Sequence, residues 1–215
     1  MVDVALELVL TAGVVCLLFV VYQTWMTNVA ADQRQDEVAE SVRGGWEQSA
    51  VPAAPDSGEG FAFVHIPELG ATWSRAIVEG VDEDDLQAGP GHYPNSAMPG
   101  EIGNFAVAGH RNGQGSPFVD LDELEVGDPV IIETADSWFV YRVTSNEIVP
   151  PSTAAAIRPV PGGTMDDQPT EAYLTLTTCH PEFSVRERLI VHALLDSSVS
   201  KVDQPRGPAI LASGQ

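Results

Sequence analysis

The chain has 215 residues, room for one ordinary domain plus accessory segments. Asp and Glu number 31 against ten Lys and Arg, for a formal charge of −21, and Lys201 is the only lysine. That balance argues against a nucleic-acid binder, which needs clustered cations, and against a surface held to anionic lipid by basic patches. It suits solubility in a salty or extracellular medium.

Val4 to Tyr22 is almost wholly apolar, interrupted by Glu7, Thr11 and Gly13. At about 1.5 Å of rise per residue, this run comes close to spanning a hydrocarbon core about 30 Å thick. The N-terminus lacks the basic residues of a signal peptide, so residues 1–24 read as an uncleaved transmembrane anchor. Residues 25–60 read as a spacer: Trp25 to Trp46 is polar and compatible with a helix, and Ser49 to Gly60 has linker composition.

The folded part is expected over 61–195 and reads as β-rich. Phe61 to Ile66 is a strand stopped by Pro67, and Thr72 to Val78 is a second strand. Asp82 to Leu86 suits an acidic helix start, and Phe118 to Leu124 a short helix. Asn104 to Ala108 is a strand running into Gly109-His110. Pro129 to Glu133 and Trp138 to Val143 form a hairpin around Ala135-Asp136. Tyr173 to Cys179 and Arg188 to Leu195 complete the set. Many short strands with few helices predict an all-β, closed or sandwiched fold. Residues 196–215 read as a mobile tail.

Two cysteines, Cys16 in the apolar run and Cys179 in a strand-like run, are too few for a disulfide scaffold and too differently placed to pair. Cys179 is therefore a lone thiol ending a strand. His110 closes another strand and Arg188 opens a third. A thiolate nucleophile needs a proton donor for its leaving group, and an oxyanion needs hydrogen-bond donors. Taken singly, each residue is most often a buried apolar group, a hydrogen-bonded surface imidazole or a solvated charge. Sequence position does not bring them together.

The segment Leu174-Thr175-Leu176-Thr177-Thr178-Cys179, followed by Arg188-Leu189-Ile190-Val191, resembles the active-site signature of sortases, membrane-anchored cysteine transpeptidases of Gram-positive bacteria. Ala108-Gly109-His110-Arg111 is similar to the family's histidine motif. Gly91-His92-Tyr93-Pro94 and Gly100-Glu101-Ile102-Gly103-Asn104 resemble the approach to it. Thr-Thr-Cys-His-Pro looks most like class E members from actinobacteria. The resemblance implies an eight-stranded β-barrel with short helices, anchored in the cell membrane by one span with its catalytic domain outside. It also implies cleavage of a sorting signal such as Leu-Pro-x-Thr-Gly or Leu-Ala-x-Thr-Gly between Thr and Gly. Cys179 becomes the nucleophile that forms a thioacyl intermediate. His110 becomes the acid and then the base, and Arg188 the oxyanion and substrate donor. Thr178 adds a donor and Tyr93 helps select the residue after Leu. Arg186 is a decoy, two residues further from the Ile-Val strand. The implied partners are secreted proteins with C-terminal sorting signals and a lipid II-type peptidoglycan precursor.

With ordinary pKa values of about 8.5 and 6.5 for Cys179 and His110, the thiolate–imidazolium form is roughly 1% of molecules midway between them. A metal site from His110, Cys179, His180 and His192 lacks ligand spacing. No cofactor is expected, and the acidic stretches read as solvated faces rather than a Ca²⁺ site. A non-catalytic tethered β-domain is the main alternative. The spacer has no Asp-Pro-aromatic lid of the pilus-building kind, since Ser57 follows Asp56, which favours a housekeeping anchoring role.

Overall fold

Eight strands close into a barrel in a computed structural model that describes residues 2–48, 55–164 and 166–212. They are β1 (Gly60–His65), β2 (Ser74–Glu79), β3 (Gly91–His92), β4 (Gly103–Ala108), β5 (Pro129–Glu133), β6 (Ser137–Val149), β7 (Ala172–His180) and β8 (Glu187–Ser200). Around the barrel their order is β1-β2-β3-β4-β7-β8-β6-β5, closing on β1. The neighbours β2/β3 and β4/β7 are parallel and the others antiparallel.

Alternation of side chains along each strand explains the interior. Val64, Phe105, Val107, Ile132, Tyr141, Leu174, Leu176, Leu189 and Val191 point inward and form one core, joined by Phe118, Leu121 and Leu124 from the connection after β4. Tyr141 is fully buried, and its hydroxyl oxygen accepts the Gly100 N–H at 2.8 Å, which satisfies the one polar atom it carries inside. Removing this ring from water pushes its pKa up to about 12, partly opposed by the Gly100 bond.

The expected acidic helix start is α2 (Glu83–Ala88), with a capping box between Asp82 and Asp85. The hairpin around Ala135-Asp136 is β5/β6. Phe118 to Leu124 contains only a 3₁₀ turn, Leu121–Glu123, because Phe118, Leu121 and Leu124 plug the barrel rather than present a helical stripe.

The flanking segments are more structured than their composition suggests. One helix, α1 (Val2–Gln48), contains both the apolar run and most of the spacer. Among the described residues no helix is long and apolar enough to cross a membrane. In its first half Leu6, Leu8, Val9, Leu10, Leu17 and Leu18 are exposed. Its second half lies on the barrel: Val38, Val42 and Trp46 pack on Phe63 and Ala76. The Gln35 amide pairs with both main-chain groups of Ala76, accepting from its N–H at 2.9 Å and donating to its C=O at 3.3 Å. A second donation goes to Ala88 C=O. Gln35 thus stands in for strand pairing that two-residue β3 does not reach. Part of the linker, 49–54, lies outside the described residues.

At the other end β8 runs on to Ser200 instead of stopping at Leu195. Its Ser197–Ser200 stretch pairs with Ser137–Val140, where main-chain bonding rather than an apolar pattern sustains the strand. Beyond it α3 (Ala209–Ala212) lays Ile210 and Leu211 on Trp138, Ile131 and Val140. The lone lysine, Lys201, bonds Glu133 at 2.7 Å and lies 3.9 Å from the centre of the Trp46 ring, tying this end to α1.

Candidate active site

The parallel pairing of β4 and β7 decides where the chemistry collects. In register, Ala108 lies beside Thr177, so the chain leaves both strands at the same end of the barrel. His110 follows β4 there, and Cys179 is the penultimate residue of β7. Both line one cavity of about 580 Å³, with Arg111, Asn112 and residues 183–186 of the β7–β8 connection around them. Cys179 is free and half-buried.

The main chain around the imidazole is fixed on both sides. Gly109 N–H donates to Thr177 C=O at 3.0 Å, and Phe118 N–H donates to His110 C=O at 3.1 Å. Thr178 Oγ1 donates to Gly109 C=O at 2.8 Å. A Cβ at Gly109 would stand 2.5 Å from the Phe118 ring, so only glycine lets the chain turn against it. His110 Nε2 is buried with no partner in the protein, which leaves it available to a substrate atom. Burial holds the imidazole below its ordinary 6.5, and the Glu83 carboxylate partly offsets this.

Arg188 sits directly opposite Cys179 in the β7/β8 register. Its guanidinium donates to the carbonyls of Val185 and Glu187, at 3.2 and 3.0 Å. It lines a separate groove of about 250 Å³ together with Tyr93, Thr177, Ile190 and the connection after β6. Arg186, by contrast, lines the cavity that holds Cys179 and His110. Tyr93 borders the groove, its hydroxyl 3.4 Å from Thr177 Oγ1. Thr178 is buried and its hydroxyl bonds Gly109, so its side chain acts on the histidine turn. Of the five residues singled out from sequence, Cys179 and His110 share one cavity, Arg188 and Tyr93 share the adjoining groove, and Thr178 lies behind them.

Two contributors escaped the sequence. Arg111 is buried, bonding His180 Nδ1 at 2.9 Å and Asp122 at 2.7 Å, and so braces the segment after His110 against the residue after Cys179. Its place next to His110 was a signal, but an arginine's burial cannot be read from one chain. Phe183 is the other: it lines the cavity 85% exposed, with φ at 60°, a strained conformation for a bulky residue. Among the described residues no group of three or more His, Cys, Asp or Glu could hold a metal ion.

Known proteins resemble this chain in sequence and in fold. The family profile described as Sortase domain matches residues 64–196. Sortase SrtE1 of Streptomyces coelicolor is 39% identical over 194 residues, 86% of this chain and 54% of that protein, so the chain spans about half the length of that relative. Sortase SrtE2 of the same organism is 36% identical, covering 94% of this chain and 84% of its own length. Among solved structures, sortase E from Streptomyces avermitilis superposes with a TM-score of 0.64 at 40% identity, over 73% of this chain and 99% of that one.

Proposed function

Because the chain belongs to the sortase family, we propose that it is a membrane-anchored class E cysteine transpeptidase acting on sorting signals of the Leu-Pro-x-Thr-Gly or Leu-Ala-x-Thr-Gly kind. The observation that carries the reading is the shared cavity of Cys179 and His110, two residues brought together only by parallel β4 and β7.

In the proposed reaction the Cys179 thiolate attacks the threonine carbonyl carbon. Arg188 supplies donors to the oxyanion and aligns the peptide in the groove it shares with Tyr93. The C–N bond to glycine breaks as the imidazolium of His110 gives its proton to the departing amine. An incoming amine then attacks the thioester, loses a proton to His110, and expels the thiolate. Because burial favours neutral His110, the imidazolium is scarcer near neutral pH than an ordinary histidine would make it, and the competent ion pair is a minor form.

The anchor reading rests on the apolar Val4–Tyr22 run, which falls inside α1 with many side chains exposed. The outward orientation of the barrel, a lipid II-type precursor as amine donor and secreted proteins as substrates are part of the same proposal and rest on the family resemblance rather than on the anchor's charges. Fractionation of cells expressing the full chain tests it: recovery in the soluble fraction would sink the anchor.

The activity is tested with paired fluorogenic peptides carrying the Pro or Ala signal, with and without an amine acceptor. Thr–Gly cleavage that disappears in Cys179→Ala, with an acyl adduct on Cys179 by mass spectrometry, is the expected result. A folded protein that cleaves neither peptide overturns the reading.

A further inference from the structure

The outward face of β7 carries Thr175, Thr177 and Cys179, since Leu174 and Leu176 point into the core. On β8 the same face carries Arg188, Ile190 and His192, set opposite Cys179, Thr177 and Thr175 respectively. The groove described above has Thr177, Ile190 and Arg188 in its lining, with Ala154, Ala156 and Ile157 over them. One row further from the thiol, the sheet becomes a buried polar cluster.

Asn104 of β4 is at its centre. Its Nδ2 donates to Ala156 C=O at 3.1 Å and to Arg158 C=O at 2.9 Å. Its Oδ1 accepts from Thr175 Oγ1 at 2.8 Å. Thr175 Oγ1 is also 2.9 Å from His192 Nδ1, and His192 Nε2 is 3.3 Å from a Glu147 carboxylate oxygen. Thr175 Oγ1 also lies 3.3 Å from Ala156 C=O, so its one proton faces two acceptors, that carbonyl and the nearer Oδ1, and His192 Nδ1–H is the donor to Thr175. Burial lowers the His192 pKa and Glu147 partly opposes it; with Nδ1–H given to Thr175, Nε2 donates to Glu147 only in the imidazolium form. Asn104, Thr175 and His192 are all buried, and the cluster joins β4, β7, β8 and β6 to one external segment.

That segment is the 3₁₀ turn Ala154–Ile157, within the long connection from β6 to β7. It roofs the groove but belongs to no strand, so its height depends on what holds it. Asparagine is the side chain that fits: two donors and one acceptor in a short planar group. Aspartate has no donors when ionised, and serine has one.

Resting on the transpeptidase reading, we propose that Asn104 is a substrate-positioning residue. Supported by Thr175 and His192, it clamps the Ala154–Ile157 turn and so sets the depth of the groove that receives the peptide N-terminal to the scissile bond. It touches neither the reacting atoms nor the thiol cavity. Its loss should therefore weaken peptide binding and leave chemistry on bound peptide nearly unchanged.

The test uses the full chain as wild type, Asn104→Leu and Thr175→Val. Three quantities are read: hydrogen exchange across residues 154–163, steady-state KM and kcat on the preferred signal peptide, and the rate of Cys179 alkylation. The amides of Arg158 and Gly162, which both bond Ala155 C=O, report the turn. In Asn104→Leu we expect exchange there to quicken about tenfold, KM to rise about tenfold, and kcat to stay within about twofold, given the loss of both hydrogen bonds to the turn and of the one accepted from Thr175. Alkylation should be unchanged. Thr175→Val, which leaves both Asn104 donations in place and removes the support of Asn104 Oδ1 together with the longer Thr175 contact to Ala156 C=O, should show the same pattern at smaller amplitude. A folded Asn104→Leu with unchanged exchange in the turn, or with a fall in kcat at constant KM, overturns the proposal. If Asn104→Leu does not fold, wild-type exchange and KM in Thr175→Val overturn it instead. A wild-type chain inactive on every peptide sinks the transpeptidase reading, whereas an active wild type with unaffected variants sinks the clamp alone.

Discussion

Thr178 Oγ1 donates to the Gly109 carbonyl oxygen across 2.8 Å, so the residue before the thiol holds the residue before the imidazole. The bond is buried, and it links two strand ends whose spacing the proposed chemistry depends on. Thr178→Val keeps the shape and removes the bond. We expect kcat/KM to fall about tenfold, from a lost buried bond worth about 1–2 kcal/mol, and Thr178→Ser to recover most of it. An unchanged kcat in a folded Thr178→Val would show that the tie has no bearing on catalysis.

His110 should titrate below 6.5, because burial disfavours its charged form. The cause is the site and not the thiol, so Cys179→Ala should keep the depressed value when followed by NMR of the imidazole ring. The sign for stability follows. The folded chain binds this proton less readily than the unfolded chain, so the His110 contribution is complete above 6.5 and is lost as pH falls through the folded value. A midpoint at or above 6.5 would contradict the buried placement.

Tyr141 gives the opposite limb. Its folded pKa of about 12 lies above the ordinary 10. The unfolded chain releases this proton first, so stability is full below pH 10 and declines as pH rises toward 12. Tyr141→Phe should flatten that part of the alkaline stability curve while costing about 1 kcal/mol at neutral pH, from the Gly100 N–H left without its acceptor. Denaturant melts from pH 8 to 11 would measure both effects.

Arg186 and Arg188 can be separated by where they lie. Arg188 lines the groove opposite Cys179 in register, and Arg186 lines the thiol cavity. If Arg188 serves the oxyanion, Arg188→Ala should lower kcat/KM by about a hundredfold or more, and Arg186→Ala by less than about threefold. The reverse ranking in peptide cleavage would move the role to Arg186.

Gln35 should matter for stability although it lies in the spacer. Gln35→Ala leaves both main-chain groups of Ala76 without their partner, at a cost of about 1–3 kcal/mol. Faster hydrogen exchange in 31–46 and around Ala76 would accompany it. A wild-type melting temperature would mean that the helix docks through Val38, Val42 and Trp46 alone.

The strands and the reactive residues were legible because both leave local marks. Alternation with threonines announces β7, apolar and β-branched or aromatic runs announce β4 and the β5/β6 hairpin, and the Thr-Thr-Cys and Gly-His-Arg segments stand at strand ends. Elements sustained by main-chain bonding were not legible. Ser197–Ser200 has no apolar period, and β3 is too short to have one. The docking of α1 was hidden because it rests on a polar amide and three spaced apolar residues in a segment that reads as a polar spacer compatible with a helix, with no mark of what it packs on. Arg111 and the Asn104 cluster were hidden for a different reason: their importance comes from burial, which the tertiary fold imposes on ordinary polar residues.

The parallel pairing of β4 with β7 has a consequence for the order in which the molecule becomes reactive. The β5/β6 hairpin lies between these strands in the chain, yet it occupies the far side of the barrel. Thiol and imidazole therefore cannot meet through local contacts, and they meet late, because long loops must close before distant strands reward the closure. A chain in which β4 and β7 have not yet paired carries a cysteine with no imidazole beside it, so the pair is assembled only with the long-range closure of the barrel.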